Sequence, residues 1–187
     1  MKSLNSDTYR PSPVSSVQPA IFSTLGVFSL AQELSGLAMA LLDGADAELV
    51  AEECLCLVSV ATARAIEATS PQERDLWESL LVTPFLYRDY LLGSVMIESD
   101  DAAQAQAGSV IGERLERKAA FYAVHLPAAT LPTGSILYNV MLLWMGRISP
   151  PRMTTGPEER LEKIRGQEKL ESHIRLVAAY VRHANVS

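Results

Sequence analysis

Apolar side chains recur every three or four residues along most of this chain and nowhere alternate with polar ones over a strand's length. That spacing lines them up on one side of a helix and leaves no half-buried strand. Val50, Cys54, Leu57, Ala61 and Ala65 are the clearest stripe. No Asn-Gly or Asp-Gly turn separates two strand-like segments, since Asp43-Gly44 falls between two helical patterns. The pattern predicts an all-α fold, an antiparallel bundle of six or seven helices with a central apolar helix.

Local signals place the helices. A Ser- and Pro-rich segment, 1–18, has little to bury and is expected to be a disordered tail, leaving 19–187 as a single helical domain. The first helix is expected from Pro19 to Leu42, ending at Asp43-Gly44. The second follows Asp46 and runs to about Ala68, with Glu48, Glu52 and Glu53 suiting the dipole of its early turns. Ser70-Pro71-Gln72-Glu73 has the form of a capping box opening a third helix, which kinks or restarts at Thr83-Pro84. A fourth helix is expected to run to about Glu98. Ala102 to Leu126 makes a fifth, with Ala107, Val110, Ile111, Leu115 and Tyr122 inward and Glu113, Arg117 and Lys118 outward.

Ser135 to Arg147 is apolar on nearly every side and is expected to be the central helix or an obligate interface; it is too short for the roughly 20 residues of a bilayer span. The Pro- and Gly-containing loop 149–156 is expected to be mobile. Pro157 then opens a charged helix that Gly166 bends or divides. Ala20 to Leu42 has the length of a membrane span, but Gln32 and Glu33 near its middle make it a core helix instead.

Charge narrows the function classes. The net charge of −6 disfavours a phosphate backbone as main partner. It divides unevenly, with 5 basic and 15 acidic residues up to position 110 and 11 and 7 beyond it. Such halves favour packing of C-terminal helices on N-terminal ones, within one chain or between two copies. Cys54 and Cys56 project to different sides of a helix and read as buried thiols in a reducing, cytoplasmic setting.

No catalytic constellation emerges. The three histidines, His125, His173 and His183, lack the spacing of a shared metal site. There is no nucleophile elbow, and no phosphate-binding glycine loop. No catalytic residue, metal ligand or cofactor is therefore assigned. Arg64 poses a choice between pairing across the bundle and reaching out to water. The aromatic and polar residues Tyr87, Asp89, Tyr90, Tyr138 and Trp144 are the candidate binding residues of a pocket between helices.

These features point to a non-enzymatic helical interaction or regulatory protein, acting through a helix face on a protein partner or on itself as a homodimer. Nucleic acid and membrane are disfavoured. A helical domain or small enzyme holding a small-molecule ligand between helices is the alternative. In composition the tail, with Pro11 and Pro13, also resembles the uncleaved N-terminal signals of proteins delivered by bacterial secretion machines, although Asp7 sits early. That resemblance covers about eighteen positions and implies an exported effector.

Overall fold

The computed structural model describes residues 14–84 and 101–184, with side chains at 22–84 and 106–184. All regular structure in them is helical: α1 (Val14–Leu41), α2 (Ala47–Thr69), α3 (Arg74–Leu81), α4 (Asp101–His125), α5 (Gly134–Ile148), α6 (Pro157–Ile164) and α7 (Gly166–Ala184). The fold is all-α.

Helix α1 begins at Val14, so the last five residues of the segment expected as tail are helical. Between α1 and α2 the chain turns at Gly44, whose φ of 75° favours a residue without Cβ. Asp46 then caps α2, its Oδ1 accepting from the backbone N–H of Glu48 at 2.9 Å and of Leu49 at 3.2 Å.

The capping box expected at Ser70 is not formed. Ser70 closes α2 instead, its N–H donating to Ile66 O at 2.7 Å, and α3 opens at Arg74 behind Glu73 with no side-chain cap. Its hydroxyl is buried at the end of α2, and a turn through Pro71 and Gln72 separates the two helices. At the other end of α3, Val82 breaks the helix and Thr83-Pro84 resume it, as the proline required. The helix expected through 85–98 lies outside the described residues.

The central position belongs to α2, not to the greasy segment 135–147. Helix α2 packs against α1, α3, α4, α5 and α7, and nearly every side chain from Val50 to Ile66 is buried. Its Ala, Ser, Thr and Cys side chains are small and let neighbours approach from all sides, so composition understated its burial. Helix α5 buries one face, Leu137, Val140, Met141, Trp144, Met145 and Ile148, while Tyr138 and Leu143 stay 37% and 40% exposed. Helix α1 likewise buries only one stripe, including Val27, Leu34 and Ala38, and leaves Leu25 63% exposed. Its segment Phe22–Leu41 is long and apolar enough to cross a membrane.

On α4, Leu115 and Tyr122 are inward as expected, but Ala107 and Val110 are exposed and Lys118 is buried. The division expected at Gly166 occurs one residue earlier, where Arg165 takes a left-handed conformation with φ 51°. Gly166 serves close approach instead: a Cβ there would come within 2.9 Å of both Leu161 Cδ1 and Met141 Cε.

Candidate functional site

Of the expected binding residues, Tyr87, Asp89 and Tyr90 lie outside the described residues, and Tyr138 and Trp144 do not share a pocket. Six positions apart on α5, they point about 120° apart. Trp144 is fully buried and its indole meets the Cys54 thiol. Tyr138 instead borders an open cleft of about 480 Å³ with Leu161 and the acidic residues Glu158, Glu159 and Glu162.

Two other places concentrate polar groups. The first is a layer of ion pairs between α2, α4 and α5. Glu52 and Glu53 are on the second turn of α2, where the arrival of α4 and α5 takes both out of solvent, at 1% and 0% exposed. Lys118 Nζ lies 2.6 Å from Glu52 Oε2 and 3.8 Å from Glu53 Oε1. Arg114 reaches Glu52 at 2.5 Å and also pairs with Glu48. Arg147 grips Glu53 with its fork, Nε to Oε2 at 2.8 Å and Nη2 to Oε1 at 2.6 Å, while Tyr122 donates its hydroxyl to Oε2 at 2.5 Å.

Three carboxylates thus meet three cations, and the layer is formally neutral. Arg147 also lies over the Phe121 ring, 4.3 Å from its centroid, and Phe121 packs against His125. Burial in the carboxylate's field raises the Tyr122 phenol well above its ordinary range. Lys118, expected to face water, is the hinge of this layer. Each carboxylate oxygen of Glu52 and Glu53 is engaged by a cation or by the Tyr122 hydroxyl, so the layer ties α2, α4 and α5 together.

The thiols nearby are kept from ionising by burial. Cys54 and Cys56 are free and buried; burial pushes Cys54 up to about 12 and raises Cys56 further from reactivity. Arg64 takes neither expected role. It pairs with Glu67 on its own helix at 2.8 Å and donates from Nε to Leu126 O at 3.1 Å, tying α2 to the end of α4.

The second place is a groove of about 590 Å³ between α1 and α7. Its floor holds His173, which fits against α1 only because residue 26 is glycine: a Cβ there would lie 2.9 Å from His173 Cε1. Thr62 of α2 donates its hydroxyl proton to Val58 O at 2.7 Å. With that proton committed, its oxygen, 3.0 Å from His173 Nε2, is set to accept, which favours the tautomer with the proton on Nε2 and Nδ1 as the ring's acceptor. Burial lowers the pKa of His173 to about 4, and the ring is neutral at neutral pH.

Phe22 and Leu176 form the apolar wall, with Phe22 stacked on Tyr180 at 4.3 Å. At the other end, Lys169 pairs with Glu33 at 2.5 Å and Arg165 with Glu168. Sequence spacing gave no sign of this site, because Thr62 and His173 are 111 residues apart and Gly26 is on a third helix. Among the described residues, no three His, Cys, Asp or Glu side chains converge as metal ligands. No family model, curated protein or solved structure matches this chain.

Proposed function

We propose that the chain is a non-enzymatic helical interaction or regulatory protein that acts through a helix-mediated interface and associates with a second copy of itself. The observation that carries this reading is the outer face of α5. From Gly134 to Gly146 the helix has no charged residue, and its solvent side presents Tyr138, Asn139, Leu143 and Gly146, where among the described residues nothing lies within 4 Å of the place a Cβ would take. An uncharged face can meet itself about a two-fold axis without setting like charges opposite each other, and glycine permits close helix approach. Burying Leu143 and the half-buried Leu142 in such a contact removes apolar surface from water at about 25 cal/mol per Å².

The helices are read as an antiparallel bundle about α2, joined by short connections such as 42–46. In that arrangement α5 packs inward on α2, α4, α6 and α7, and its outer face is exposed. Free, buried cysteines suit a reducing, cytoplasmic setting. Size-exclusion chromatography with light scattering tests the reading. The expected result is a dimer at micromolar concentration that Leu143→Glu converts to monomer; a strictly monomeric wild-type chain contradicts it.

A further inference from the structure

We infer that the groove between α1 and α7 is a binding site for a small, uncharged amphipathic molecule that donates one hydrogen bond, from a hydroxyl or an N–H, to Nδ1 of His173. None of the groove residues belongs to α5, so the inference is independent of self-association. Its volume of about 590 Å³ is within the roughly 300–1,000 Å³ of small-molecule sites.

Three properties set the ligand class. The hydrogen-bond chain from His173 through Thr62 to Val58 O sets the tautomer and makes Nδ1 the acceptor of a ring that lines the groove. A ligand must therefore donate there, and one that only accepts leaves Nδ1 unpaired, which is costly once water is displaced. The two cations at the polar end are each engaged by a carboxylate, so the lining is balanced and gives no net pull on an ion. Phe22 and Leu176, 36% and 59% exposed, offer apolar surface that an aromatic or aliphatic body would cover.

The chain's own fold supports the assignment of the acceptor. Gly26 lets the imidazole sit against the α1 backbone, and Thr62 holds its far nitrogen, so the ring is positioned before any ligand arrives.

Indole and 1-methylindole make a matched pair of probes that differ in the N–H. Titration of the full chain followed by NMR is expected to show indole binding at least tenfold more tightly than 1-methylindole, with shifts at His173 and Leu176. His173→Phe is expected to abolish that preference, and Ser29→Trp, at an exposed groove position, to weaken both probes while the fold remains. Long-range nitrogen–proton spectra of the wild type should show the proton on Nε2. Equal binding of the two probes, no binding of indole at millimolar concentration, a preference that survives His173→Phe, or a proton on Nδ1 would each overturn the inference.

Discussion

Glu53→Gln keeps the shape of the side chain and removes the charge at the middle of the buried layer. Glu53 accepts from Tyr122 and twice from Arg147, at 2.5, 2.8 and 2.6 Å. Hydrogen bonds to charged groups contribute about 1.5–3 kcal/mol each. The amide oxygen can keep one or two of these bonds, but its NH2 then faces the guanidinium fork with nothing to donate to. Lys118 retains Glu52, and Arg147, 35% exposed, recovers part of its hydration. The expected loss is about 3–4 kcal/mol, within the roughly 3–5 kcal/mol for removing one partner of a buried pair.

For a chain of this length that loss lowers Tm by about 6–16 °C. Urea unfolding followed by far-UV circular dichroism measures it, and a cycle with Arg147→Met should give a coupling energy above about 1 kcal/mol. If Glu53→Gln unfolds within about 1 kcal/mol of the wild type, at an unchanged denaturant slope, the layer does not hold α2, α4 and α5 together.

The other expectations are narrower. Asp46→Ala removes the cap of α2 and should cost about 1 kcal/mol in urea unfolding. His173 has a folded pKa of about 4, below the roughly 6.5 of an unfolded histidine. The unfolded chain therefore binds the extra proton, and stability falls as pH drops from about 6.5 to 4, by about 2.5 kcal/mol at pH 4.5. His173→Gln should flatten that part of the stability profile, and an unchanged slope would refute the assignment. Cys54 and Cys56 should react with a thiol reagent no faster than the chain unfolds; rapid labelling of the native protein would contradict their burial.

Local signals read well wherever the chain decides structure by itself. Asp46 caps α2, Gly44 turns the chain, and Leu115 and Tyr122 face inward, because capping, glycine conformation and helical period act within a few residues. Ser70-Pro71-Gln72-Glu73 misled for an equally physical reason. The same serine that can open a helix can end one, and here α2 continues to Thr69 and uses the Ser70 N–H to close.

What depended on distant partners was not legible. Glu52 and Glu53 look like solvated acids at a helix start until α4 and α5 supply Lys118, Arg114 and Arg147. Lys118 lies on an otherwise polar stretch, and nothing local distinguishes a buried ammonium from a solvated one. The greasiness of 135–147 reads as total burial, yet hydrophobicity cannot separate a helix surrounded by its own chain from one with a face left open. Leu143 and Tyr138 show which of these α5 is.

That open face is tested most directly by cysteine cross-linking at Asn139, an exposed position on it. Because Cys54 and Cys56 are buried, oxidation of an Asn139→Cys chain reports on the introduced thiol alone. A disulfide-linked dimer in high yield is expected, while Ser109→Cys, exposed on α4, stays monomeric under the same conditions. An Asn139→Cys chain that remains monomeric, or cross-links no better than Ser109→Cys, contradicts a two-fold contact through α5.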